Sequence, residues 1–316
     1  MVPPERQTIP NNDTFKAISS TVEPMLALLS LLANAVILIA MARCRQLRKR
    51  SSNVLLIFLA VGDLLHVISS MSIGNAVMRG YPHSYYGCVF VVCTSTLPLQ
   101  LTISALFIIA VDRFVAVRWP FKHAVYCSRS RIIKYVAVLW VIGAGFIYLP
   151  MFGWNLGWIN NGKCSYHRLI DKQFRIYAIF FPASLTPLVA MSCIYAYIFY
   201  IVIKMSRTVG TGSDAETAAN ENRRKAFIAA KKCGVIILAY VILILPVDVM
   251  NCAHLWLGYV CVACTKMATW GLLIHGIVCP VIYLFQNKLL RTVVVMTLRC
   301  RRIDEHALSL AEGSGM

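Results

Sequence analysis

The sequence predicts an all-α membrane protein, a seven-transmembrane-helix bundle with a short amphipathic helix after helix seven. Three observations carry that expectation. Apolar residues make up 59% of the 316 and charged ones only 14%, against about 45–50% and 25% in a soluble domain. The apolar residues gather into seven stretches, near 22–42, 53–78, 87–117, 132–152, 174–204, 226–256 and 266–285. Each matches or exceeds the roughly 20 residues of a bilayer crossing, the longer ones by tilting or by running past the lipid. Lys and Arg give a formal net charge of +18. They cluster between the stretches, which favours a membrane face over nucleic acid as their partner.

Residues 1–20 are polar, contain Pro3, Pro4 and Pro10, and have no apolar core of their own, so no cleavable signal peptide is expected. The loop after the first stretch carries Arg43, Arg45, Arg48, Lys49 and Arg50, whereas the next carries only Arg79. The third loop adds Arg118, Lys122, Arg129 and Arg131, and the fifth adds Lys204, Arg207, Arg223, Arg224 and Lys225. Lys163, Arg168, Lys172 and Arg175 dilute the contrast in the fourth. By the positive-inside rule, the N-terminus faces the outside and the C-terminus the cytosol, as expected at the plasma membrane. The division is then 1–21 outside, 22–285 in the bundle and 286–316 as inner helix and tail.

Asn12-Asp13-Thr14 fits a glycosylation acceptor on the outer side. Gly210-Thr211-Gly212-Ser213 reads as a flexible inner loop, without the strand and Gly-Lys-Ser/Thr of a phosphate cradle. Beyond Tyr283, LFQNKLLRTVVVMTLRC alternates apolar with basic residues and is too short to span, so it is expected along the inner surface. Cys300, between Arg299 and Arg301, is either a palmitoylation site or a plain thiol.

The third stretch organises the chain. From Cys88 to Arg113 it reaches about 37 Å at the helical rise, and the charged pair Asp112-Arg113 stands where its apolar run gives out. Asp63 lies mid-span in the second stretch, at a depth where an ionisable side chain costs several kcal/mol unless paired or hydrated. A polar pocket inside the bundle follows from that residue alone. Pro187, Pro246 and Pro280 each break an intrahelical bond and are expected to kink the fifth, sixth and seventh spans. Cys261-Val262-Ala263-Cys264 reads as a small loop disulfide rather than a metal or redox motif, because no His stands beside it. Cys93, Cys193, Cys252 and Cys279 read as packing residues.

Asp112-Arg113-Phe114 resembles the Asp-Arg-Tyr triplet that closes helix three of rhodopsin-like G-protein-coupled receptors. With Asn34, Trp140 and the three prolines in order, the resemblance covers the entire chain. It implies a receptor for an extracellular small molecule that signals to heterotrimeric G proteins and needs no cofactor. It also implies that Cys88 pairs with Cys164, that Asp63 and Thr102 belong to a sodium pocket beside His275, and that Tyr195 and Tyr283 act with Arg113 in coupling. One departure falls in that pocket: the family's Asn-Pro-x-x-Tyr is Cys279-Pro280-Val281-Ile282-Tyr283. A second restraint on Arg113, an acid low on helix six, has no counterpart in Lys225 to Lys232, KAFIAAKK.

The outer half looks like an adenosine receptor, on Met151-Phe152-Gly153-Trp154-Asn155, Thr21-Val22-Glu23, Gln100, Asn251-Cys252 and the C-x-x-C loop. That likeness implies that Asn251 bonds a purine ring through its amide, that Tyr166 stacks on it, and that Gln100, Glu23, Asp248 and His275 complete the ligand set. Ile244 stands where the subfamily has its switch Trp, Asp248 replaces a His, and His167 replaces a loop acid. The ribose-contacting residues fall on Leu99, Leu272 and Leu273. A non-purine ligand is the alternative among receptors. A transporter or channel would show inverted repeats and broken helices, which the sequence lacks. An enzyme would show H-E-x-x-H or G-x-S-x-G, an opsin a lysine in the seventh stretch, and an amine receptor an acid in the third before Asp112.

Overall fold

The computed structural model describes residues 6–8, 13–71, 81–155, 164, 169–171, 173–207, 227–228, 231, 234–246, 249 and 259–299. Its helices follow the apolar stretches. The first span is Asp13–Arg43, the second Ser51–Ser69, the third Tyr85–Arg118 and the fourth Arg129–Tyr148, prolonged by a tight turn over Leu149–Phe152. The fifth winds in wide π-type turns over Phe174–Leu185 and as α-helix over Thr186–Arg207. The sixth is described over Gly234–Pro246 and the seventh is Val262–Gln286. Short helices Arg45–Lys49 and Pro120–Tyr126 join spans, and Lys288–Leu298 ends the described chain.

The first five spans are long and apolar enough to cross a membrane. The seventh meets the same measure together with Lys288–Leu298, from which it turns by 110°. Asn287 makes that turn, its side chain accepting the Leu290 N–H at 3.1 Å as an N-cap. Leu289, Leu290, Val293 and Val294 then face the core, whereas Arg291 and Leu298 face out. That is the amphipathic helix expected after Tyr283.

Two features were not foreseen. Arg6–Thr8 pairs in parallel with Tyr259–Cys261, tying the chain's start to the stretch before the seventh span. Helix also continues past the hydropathy edges, starting at Asp13 rather than near 22, because hydropathy marks the lipid-length run and not the hydrogen-bonded helix. In the fifth span the wide turns include Pro182 and give way at Thr186, one residue before Pro187. Two prolines without N–H donors in six residues account for the loosened winding.

The bundle is apolar on both its inner and lipid faces, and the polar groups turn inward. Leu28 and Leu32 on the first span and Val138, Val141 and Ile142 on the fourth are exposed, while Asn34, Asp63, Thr102, Ser104, Asp112 and His275 are buried. The third span is the most buried and packs against the second, fourth and fifth. Asn34 Nδ2 donates to the Ser30 and Gly276 carbonyls at 3.0 and 2.7 Å, fastening the first span to the seventh. Phe58 and Trp140 meet edge to face at 5.1 Å between the second and fourth.

The sixth and seventh spans touch backbone to backbone at Gly271, where a Cβ would stand 2.5 Å from the Leu243 carbonyl oxygen. A carbonyl inside a helix cannot swing aside as a side-chain end can. Gly271→Ala is therefore expected to destabilise the bundle by about 1–3 kcal/mol and lower the thermal unfolding midpoint of detergent-solubilised protein. Gly145→Ala, inside the fourth span with nothing within 4 Å of the new carbon, should not lower the midpoint and should raise it slightly, because Ala favours the helix over Gly by about 1 kcal/mol.

Candidate functional site

Three groups of polar side chains stand out: one mid-bundle and one at each end of the third span. At the centre, Asp63 is buried on the second span, with Oδ1 3.3 Å from Thr102 Oγ1 and 3.8 Å from His275 Nδ1. Gly62, just before it, leaves the room that lets Thr102 approach so closely. Asp63 Oδ2 has no hydrogen-bond partner among the described residues. Cys279 Sγ lies 3.2 Å from His275 Nε2, and the Tyr240 ring meets His275 edge to face at 6.0 Å. The expected neighbours Asp63, Thr102 and His275 are thus together.

His66 is a member of that centre that the sequence reading missed, and Cys279, which the motif put in the pocket, has a contact there that was not foreseen. Cys279 is a partner of His275 and not only a packing residue. His66, three residues after Asp63, has both ring nitrogens buried and without a hydrogen-bond partner among the described residues. The helical i,i+3 spacing from Asp63 was the available signal. A hard cation such as sodium takes oxygen ligands. Asp63 and Thr102 offer oxygen, but His275 and Cys279 offer nitrogen and sulfur, so the donor set fits sodium poorly.

At one end of the third span, Asp112 Oδ2 accepts from Arg113 and Oδ1 lies 2.9 Å from His123 Nε2. His123 sits in the last turn of Pro120–Tyr126, and Cys127 closes that helix with its N–H on the His123 carbonyl. Burial, followed by the Asp112 charge, pushes the Cys127 thiol up to about 12, so it stays protonated near neutral pH. Phe114 packs between Trp119 and Tyr197, with ring centroids 5.8 and 5.5 Å away. Tyr195 and Tyr283 are buried in the same core, and Gly234 leaves space for the Tyr195 ring.

At the opposite end, Cys88 and Cys164 form the expected disulfide, with Cα atoms 5.5 Å apart. Asn155 braces the adjoining turn, donating to the Pro150 carbonyl at 2.7 Å and accepting from the Tyr85 hydroxyl. Trp154 meets Phe174 edge to face at 5.3 Å. Glu23 pairs with Lys266, a partner on the seventh span that the sequence did not suggest. Gln100 lies against Gly143 of the fourth span. Tyr166, Asn251, Asp248, Asn12 and Cys300 lie outside the described residues, and Cys261 and Cys264 are described in backbone only. The geometry therefore groups the mid-bundle and Asp112 residues and does not bear on the rest of the ligand set.

Comparison with known proteins gives one family. The model for the seven-transmembrane receptors of the rhodopsin family matches residues 33–283. Human adenosine receptor A2b is 25% identical over 300 residues, covering 87% of this chain and 88% of that protein. Human adenosine receptor A2a is 24% identical over 291 residues, covering 85% and 69%. The rat A2b receptor is 25% identical over 297 residues, covering 87% and 88%.

The Glu23–Lys266 pair has side chains 14% and 21% exposed, so solvent screens it only in part. Glu23→Gln and Lys266→Gln, alone and together, should show a coupling of about 0.5–3 kcal/mol in a double-mutant cycle on thermal stability. Strictly additive effects would mean that the two charges do not hold the first and seventh spans together.

Proposed function

The chain belongs to the rhodopsin family of seven-transmembrane receptors, and from that premise we propose that it carries an extracellular small-molecule signal to a heterotrimeric G protein at the plasma membrane. The observation that carries this reading is the Asp112–Arg113 pair at the end of the third span remote from the disulfide. A buried carboxylate holding an arginine there is a restraint that activation can release. The basic first, third and fifth loops support a cytoplasmic placement of that end, with the N-terminus outside. Asp112, Arg113, Phe114, Tyr195 and Tyr283 are then the coupling residues.

The ligand is proposed to be purine-like, because the relatives named above are adenosine receptors and Asn251, Tyr166 and Gln100 keep the residue types that a purine ring needs. Asp248, Glu23 and His275 are the remaining candidates around it, and Cys261–Cys264 would brace the last outer loop. Leu99, Leu272 and Leu273 argue against a ribose, since each hydroxyl left without a partner in a closed pocket costs about 1–3 kcal/mol. An adenine-type base is favoured over its nucleoside. Asp63 and Thr102 are proposed to bind sodium weakly at most.

Nucleotide exchange on G proteins reconstituted with the purified chain tests both parts. Purine bases should stimulate exchange more than adenosine does, and Asn251→Ala should remove the response; stimulation that ignores Asn251→Ala rejects the binding mode. Asp112→Asn should raise unstimulated exchange by about tenfold for each 1.4 kcal/mol of restraint lost, and Arg113→Ala should abolish exchange. Ion flux through the chain in liposomes, with no exchange at all, would favour a channel or transporter.

A further inference from the structure

The side chains around Asp112 have a chemistry that arginine pairing does not use. Asp112, His123 and Cys127 bring a carboxylate oxygen, an imidazole nitrogen and a thiol sulfur within 4.8 Å of one another, the one such group of three among the described residues. They come from different elements: the end of the third span, the last turn of Pro120–Tyr126, and the residue that closes that helix. Asp112 is buried at 1% exposure and Cys127 at 7%, while the His123 side chain is 26% exposed. The group is walled on one side and open on the other. Arg113 occupies Oδ2 of Asp112, and Oδ1 faces His123.

We propose that Asp112 Oδ1, His123 Nε2 and Cys127 Sγ form a zinc site. Tetrahedral zinc, with bonds of about 2.0–2.3 Å, sets its ligand atoms roughly 3.3–3.8 Å apart, which small side-chain adjustments reach from the present spacing. Three protein ligands leave a fourth position, on the open His123 side, for water. Thiolate and imidazole together select zinc over magnesium or calcium, which take oxygen. Binding forms a zinc–sulfur bond, breaks the sulfur–hydrogen bond and releases that proton to solvent. Carboxylate and thiolate then balance the two charges of the ion, and Arg113 keeps its hold on Oδ2.

A bound ion would lock the Pro120–Tyr126 helix onto the third span beside Arg113. The site does not depend on the receptor reading, so its test is a binding measurement that needs no ligand and no G protein. Cobalt(II) added to the purified full-length chain in detergent reports thiolate ligation by a sulfur-to-metal charge-transfer band, and zinc should displace it. Cys127→Ser should abolish the band, whereas Cys193→Ser, at an exposed cysteine of the fifth span, should retain it. His123→Ala should weaken zinc binding by more than the roughly 10–100-fold lost with a mere supporting contact. His123→Cys should restore it with a stronger band, which guards against a Cys127 variant that simply fails to fold. Absence of the band in the parent chain, or its survival unchanged in Cys127→Ser or His123→Ala, overturns the proposal.

Discussion

Everything in this molecule depends on one constraint: within a bilayer no water is present to satisfy a polar group, so backbone and side chains must find partners in the protein. Helices answer for the backbone. For the side chains, the bundle is built with its polarity inward, so that Leu28, Leu32 and Val141 lie outside while Asn34, Asp63, Thr102 and His275 are buried. A water-soluble domain inverts that order. Some of the buried polar side chains join two spans: Asn34 reaches Gly276 and Asp63 reaches Thr102, while Ser104 turns back to the Leu101 carbonyl of its own span. The same constraint that makes such residues costly makes them the joints of the fold.

The third span shows how the joints differ along one axis. Near Cys88 it is tied covalently to Cys164, and Asn155 of the adjoining turn accepts from its Tyr85, while Trp154 packs on Phe174 of the fifth span. At Asp112 it is tied only by hydrogen bonds and ion pairs to Arg113 and His123. Between them the span is buried on nearly all sides, with Leu106, Ala105 and Ala110 fully enclosed. Close packing of this kind moves as a body rather than bending locally.

Long-period features were legible in the sequence and cross-chain pairings were not. The seven stretches, the amphipathic helix after Tyr283 and the depth of Asp63 follow from hydropathy, which is a local sum over neighbours in the chain. The Cys88–Cys164 disulfide and the Asp63–Thr102 contact were reached through family resemblance, because nothing local to either residue identifies its partner. Lys266 was missed for that reason: its carboxylate partner Glu23 lies 243 residues away. Cys127 and His123 each read singly as a loop residue, and only the short helix from Pro120 brings them to Asp112. Cys279 reads in the sequence as packing, yet its sulfur reaches His275, since burial and hydrogen bonding are not exclusive for a thiol.

The difference between the two ends of the third span also decides where a change can be expressed. A disulfide does not open and close with ligand binding, so the Cys88–Cys164 link holds that end of the third span whatever the bundle does. Charge-assisted hydrogen bonds contribute about 1.5–3 kcal/mol each, an amount that differential binding of a small molecule can offset. Asp112 holds two such partners at once, on separate oxygens. Release of Arg113 from Oδ2 can therefore occur while His123 still holds Oδ1, and the Pro120–Tyr126 helix need not leave its place when the arginine does. On the receptor reading proposed above, the end of the bundle held by exchangeable bonds is the end at which two signalling states would differ.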